Sequence, residues 1–132
     1  MVLSSCYLDS MKFSREDPAD GYVIRSYSDK ELVVGDSRYS CSLIIMPERI
    51  IAEWHPRSPE QLQAGDFEML STLGVDLVLL GTGRRQVFPQ PALYRSLIDA
   101  GKGLEIMDTP AACRTYNVLI SEGRLVAAAL IL

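Results

Sequence analysis

Basic charge is in short supply. Thirteen Lys and Arg stand against 17 Asp and Glu, a formal net charge of -4, so the chain has no cationic footprint with which to neutralise phosphates, and nucleic acid is not an expected partner. Long hydrophobic runs are missing as well. The longest apolar stretches, residues 77–81 and 125–132, have strand length and fall far short of the ~20 residues of a bilayer span, which excludes membrane insertion as an expectation. Met1 to Ser10 lack a basic segment ahead of a long apolar one, so they do not read as a secretory signal, and a cytoplasmic location is expected. Cysteine is sparse: Cys6, Cys41 and Cys113 are odd in number and widely spaced, with no C-x-x-C pair. That pattern points away from a disulfide framework and a structural zinc site and toward reduced thiols. Histidine occurs once, as His55 before Pro56, with no G-x-S-x-G or H-E-x-x-H motif anywhere. No catalytic triad, metal or cofactor is therefore expected.

What is present suits one globular domain. The 132 residues are 48% hydrophobic and 23% charged, ordinary values for a chain able to bury a single core. Residues 1–21 read as an N-terminal arm, and residues 22–132 as a single α/β domain. Residues 22–27 and 32–34 are β-rich, and the Gly35-Asp36-Ser37 turn leads into a strand expected over 38–46. A fourth strand is expected over 50–54. Ser58-Pro59-Glu60-Gln61 carries helix-start chemistry, with Gly65-Asp66 interrupting the helix and a further turn bearing Phe67, Leu70 and Leu73. Residues 77–80 are apolar on both faces, as in a central strand. Pro91 opens a helix with Leu93, Leu97 and Ile98 on one face, followed by a strand over 104–107. A last helix starts with Thr109 as its expected cap and turns Ala112, Cys113, Tyr116, Leu119 and Ile120 inward, with Arg114, Asn117 and Ser121 outward. The final strand, 125–131, belongs at mid-sheet. This order predicts a three-layer α/β domain: a mixed central sheet, helices packed on it, and an additional β-layer from the N-terminal half.

Two loops could carry chemistry. Gly81-Thr82-Gly83-Arg84-Arg85 leaves a buried strand with two guanidinium groups, and glycines there let backbone N–H groups approach an anion. Gln86 stands where a third glycine would complete G-x-G-x-x-G, so a dinucleotide fingerprint is not formed; a tight turn with two solvated arginines fits the same residues. Asp108-Thr109 follows the next strand. If the two strands run parallel, both loops emerge on one sheet edge, and the helix start after Thr109 adds unpaired N–H groups. Asp108 would oppose an anion unless it caps the helix or pairs with Arg84 or Arg85. Arg114, Asn117 and Val118 form a candidate partner surface on the last helix, while Glu122 and Arg124 read as a local ion pair around Gly123.

The stretch Met107-Asp108-Thr109-Pro110-Ala111-Ala112-Cys113-Arg114-Thr115-Tyr116-Asn117-Val118-Leu119, its continuation Glu122-Gly123-Arg124-Leu125-Val126-Ala127-Ala128-Ala129-Leu130, and the Gly81-Thr82-Gly83 turn resemble a small α/β domain family. That family includes mitochondrial NADH dehydrogenase (complex I) assembly factor 3 and the adipogenesis-associated domain protein. The resemblance extends in order from about Tyr22 to the C-terminus. It implies a layered α/β domain with a mixed sheet and an extra β-layer, no established catalytic activity or cofactor, and assistance to assembly through protein contacts. Asp108, Thr109, Arg114, Thr115, Asn117, Glu122 and Arg124 carry over as family positions.

The leading expectation is thus a non-enzymatic binding or assembly domain with a protein partner. The alternative is a small-molecule or anion site, conceivably enzymatic, at the Gly81–Arg85 loop and the Asp108-Thr109 helix start. A third possibility is self-association through the arm or an edge strand.

Overall fold

The computed structural model describes residues 21–28 and 30–132; the arm expected over 1–21 lies, apart from Gly21, outside the described residues. Three short strands form an antiparallel sheet in the order β1 (Ile24–Ser28), β2 (Glu31–Val34), β3 (Ser37–Tyr39). A five-stranded mixed sheet has the order β5 (Ile50–Ile51), β4 (Leu43–Ile45), β8 (Val126–Leu130), β6 (Leu77–Gly81), β7 (Gly103–Met107). Strands β6, β7 and β8 run parallel, whereas β4 is antiparallel to β8 and β5 to β4. The expected architecture is therefore present, with β8 in the middle of the larger sheet.

Side-chain alternation explains the layers. A strand sends successive residues to opposite faces. Val78 and Leu80 of β6, Ala127 and Ala129 of β8 and Ile44 of β4 pack with Phe67 and Leu70 of α1 (Ala64–Leu70) and Leu97 of α2 (Arg95–Asp99). On the other face Leu79, Val126, Ala128, Leu130, Leu43 and Ile45 meet Ala112, Cys113 and Tyr116 of α3 (Thr109–Ser121), together with Ile24, Leu32, Val34 and Tyr39 of the small sheet. The three alanines of β8, all fully buried, leave room for helices on both sides. No helix among the described residues is long and apolar enough to cross a membrane.

Several local expectations are corrected. The strand expected over 38–46 breaks at residues 40–42, and its halves join different sheets. A run with β-forming residues on both faces reads as continuous, but Ser42 is buried and clipped, its hydroxyl donating to Pro56 O at 2.5 Å and accepting from Leu132 N at 3.1 Å. The strand expected over 50–54 keeps only Ile50–Ile51, because Glu53 takes a left-handed φ of 61° that no strand accommodates. Residues Pro59–Gln61 make a 3₁₀ turn in which Ser58 provides no side-chain cap. Gly65 and Asp66 lie inside α1 rather than interrupting it, with Asp66 Oδ2 accepting from Gln63 N at 2.8 Å. Asp108, not Thr109, caps α3: its Oδ1 accepts from Ala111 N at 2.8 Å. Ile98 faces out, half exposed, while Leu97 is buried. Glu122 and Arg124 form no ion pair, since the pairs among the described residues are Arg38–Glu31 and His55–Asp66. Reduced thiols were expected throughout; Cys113 is free and buried, but Cys41 is disulfide-bonded. Pairing follows Cα proximity in the fold, which spacing along the chain does not reveal.

Candidate functional site

The strands β6 and β7 are parallel, with Gly81 opposite Met107, so the two loops singled out in the sequence do leave the same sheet edge. They meet, and they are stitched together. Thr82 N donates to Met107 O at 2.9 Å and Thr109 N to Gly83 O at 2.8 Å. The Thr109 hydroxyl accepts from Gly83 N at 2.8 Å and donates to Ile131 O at 2.8 Å, tying α3 to the loop and to the end of β8. Thr82 Oγ1 accepts from Val87 N at 3.1 Å and lies 2.6 Å from Arg85 O, closing the loop on itself. Gln86 Nε2 donates to Ile106 O at 2.8 Å, covering part of the outer edge of β7.

Thr82 and Thr109 are buried in consequence. Gly81 is needed for close approach: a Cβ there would lie 2.9 Å from Thr109 Oγ1 and 3.0 Å from both Thr109 Cα and Leu130 Cδ2. Gly83 is needed for its backbone, with φ of 99°. Asp108 is spent on the cap of α3. What remains to meet an anion is the pair of exposed guanidinium groups of Arg84 and Arg85, which form no ion pair among the described residues. Tyr27 of β1 stands within electrostatic reach of the junction: its hydroxyl pKa is raised chiefly by burial, then by Cys113, with Arg84 opposing and Asp108 adding.

The candidate partner residues divide. Arg114 and Val118 are exposed. Asn117 is not outward: its Oδ1 accepts from Ile24 N at 2.9 Å and its Nδ2 donates to Ile24 O at 2.7 Å, so the side-chain amide serves β1 as a neighbouring strand would. Tyr116 adds a donation from its hydroxyl to Tyr22 O at 2.8 Å. A helical wheel counts that position as outward because it does not include the second sheet lying beside α3. Between β1 and α3 there is a cavity of about 160 Å³, bordered by Tyr27, Cys113 and Arg114 among others. The Cys113 thiol is pushed up to about 12 by burial, with Arg114 opposing, so it is held as an inert thiol.

A larger cavity, about 420 Å³, opens at the same sheet edge but beyond β8 and β4. It is bordered by His55, whose Nε2 lies 2.6 Å from the Oδ1 of the buried Asp66. Sequence reading missed this pair, since a lone histidine in a loop and an aspartate 11 residues later have no spacing signature. The one available signal was the position of Asp66 in the first turn of a helix, where a carboxylate is fixed by backbone N–H groups.

Residues 24–131, covering β1 through β8, match the family described as a protein of unknown function (DUF498/DUF598). The chain belongs to this family. The DUF498/DUF598 domain is similar to the bovine (Bos taurus) NADH dehydrogenase [ubiquinone] 1 alpha subcomplex assembly factor 3, at 34% identity over 119 residues, 89% of this chain and 64% of that protein. It thus spans just under two thirds of the relative's length. A Bordetella parapertussis protein of known crystal structure is 37% identical with a TM-score of 0.79, covering 86% of this chain and 98% of its own. A Bordetella pertussis protein solved by NMR and described as an Mth938-like domain is 29% identical with a TM-score of 0.75, covering 91% of each chain. The mixed sheet with its extra three-stranded layer is therefore the fold of this DUF498/DUF598 domain and of its structural neighbours.

Proposed function

We propose that this domain is a non-enzymatic, cytoplasmic assembly-factor-like module that acts through protein contacts on a subunit or assembly intermediate of NADH dehydrogenase. The observation that carries the reading is the 34% identity to bovine assembly factor 3 over 89% of this chain. Local chemistry agrees with it, because the polar side chains of Thr82, Thr109 and Asp108 are committed to bonds within the domain. Arg114 and Val118 stand outward on α3, with Val118 54% exposed, and an apolar side chain beside a guanidinium group is suited to a protein partner. Deleting the gene in its native host and resolving membrane complexes by blue-native electrophoresis tests the proposal. Fully assembled NADH dehydrogenase should be lost, then restored by the wild-type chain and not by the Arg114→Glu, Val118→Asp double variant. Normal assembly and normal NADH oxidation in the deletion strain would refute it.

A further inference from the structure

Resting on the protein-contact reading above, we propose that the groove between β1 and α3 docks an acidic segment of the partner protein. An Asp or Glu side chain of that segment enters between Arg25 and Arg114, and an apolar neighbour rests on Val23 and Val118. The two walls of the groove are fixed to each other. Asn117 bonds both backbone groups of Ile24, at 2.9 and 2.7 Å, and the Tyr116 hydroxyl donates to Tyr22 O at 2.8 Å. Val23 and Arg25 therefore flank the bonded residue on one wall. Arg114 and Val118, one helical turn apart on the same face of α3, flank Asn117 on the other. Both valines are exposed, Val23 at 46% and Val118 at 54%.

Size and charge select the occupant. The cavity that Arg25 and Arg114 border is about 160 Å³, below the roughly 300 Å³ at which small-molecule sites begin, so it suits one inserted side chain better than a whole metabolite. No Asp or Glu borders it, although acidic residues outnumber basic ones by four in the chain. Asp108 reaches Tyr27 at the cavity wall electrostatically, but its Oδ1 is engaged by Ala111 N, and Arg84 opposes it there. Neither Arg25 nor Arg114 forms an ion pair among the described residues; Arg25 gives a single N–H to Gly35 O at 3.2 Å. Two guanidinium groups at one groove repel each other in the free chain, and a carboxylate between them replaces that repulsion with paired N–H···O bonds. Strand addition is not the docking mode at Ile24, because Asn117 occupies both of its backbone groups.

The backbone of β1 supports the same location independently. Its register on β2 runs from Ile24 opposite Val34 to Ser26 opposite Val33, which makes Arg25 an extra residue. Such a bulge breaks the regular alternation of a strand and re-aims a side chain, and bulges collect beside functional sites.

Titration of the ¹⁵N-labelled full chain tests the groove with defined probes: a capped peptide of alternating leucine and glutamate, its leucine and glutamine counterpart, and inorganic phosphate. The glutamate peptide should shift the amide signals of Val23, Ser26, Arg114 and Val118 saturably, and the glutamine peptide should not. Arg25→Gln and Arg114→Gln should each weaken the glutamate peptide by about fivefold at an unchanged thermal midpoint. No saturable shift, an equal response to the glutamine peptide, shifts centred away from these residues, or unchanged affinity in both variants would overturn the groove. Phosphate binding at the same signals as tightly as the peptide would overturn the protein segment in favour of a free anion. Normal NADH dehydrogenase in the deletion strain refutes the assembly role and leaves a positive titration standing, whereas a negative titration removes this groove and leaves the assembly role intact.

Discussion

Replacing Thr109 by valine probes the junction between the two loops most directly. The residue is fully buried, and its hydroxyl makes one bond to Ile131 O and receives one from Gly83 N, both at 2.8 Å. Valine keeps the branched shape and removes both bonds. The orphaned Ile131 carbonyl is in a buried setting, where an unmade bond costs about 1–3 kcal/mol, while the part-buried Gly83 N–H lies nearer about 1 kcal/mol. The added methyl returns up to about 0.8 kcal/mol of apolar burial, leaving a net loss of about 1–4 kcal/mol. For a domain of this length that is a drop in Tm of roughly 4–14 °C. Thr109→Ser keeps the hydroxyl and should cost about 1 kcal/mol through the lost methyl. Urea unfolding followed by Trp54 fluorescence measures all three proteins. Because the Thr109 hydroxyl already has both partners, added phosphate should not alter the gap between wild type and T109V. A T109V protein within about 0.5 kcal/mol of wild type, or a serine variant as unstable as the valine one, would refute the argument.

Two further outcomes follow from α3. Asn117→Ala removes the two bonds to Ile24 and should destabilise by about 1–3 kcal/mol, with amide exchange at Ile24 accelerated more than at Leu79 in the central strand; equal protection at Ile24 in both proteins would count against the docking role. Cys113, with its thiol raised to about 12, should be nearly inert to iodoacetamide at pH 8 in the folded chain, where about one thiol in ten thousand is ionised. Because its folded pKa lies above the ordinary 9.0, burial of the neutral thiol contributes stability that is fully present below pH 9 and lost as the pH rises from there toward 12. Peptide mapping after alkylation with and without urea measures the first effect, and native labelling as fast as in urea would contradict it.

How far the sequence reaches can be seen from particular segments. Residues 77–80 and 126–130 are apolar on both faces, and only a strand covered on both sides hides such a run, so their central places were legible. The adjacency of the Gly81–Arg85 loop and Asp108-Thr109 followed from a parallel crossover. Their closure did not follow, because it rests on where one hydroxyl points. The break at residues 40–42 was hidden for a similar reason: Ser42 is held by Pro56 and Leu132, the latter 90 residues away. Asn117 was assigned to the wrong side because a helical wheel records one buried face, whereas α3 is bordered by two sheets. The cavity near Trp54 and His55 had no linear signal at all.

Local pattern by itself determined the α/β class, the central strands, the existence of the last helix and the sheet edge on which the two loops emerge. These depend on periodicity and on backbone rules that act over a few residues. Tertiary structure alone decided which polar groups satisfy one another, which loop is sealed and where space remains. The physical reason is that a hydroxyl, amide or carboxylate has several partners of equal chemistry along the chain, and only the packed fold brings one of them within about 3 Å.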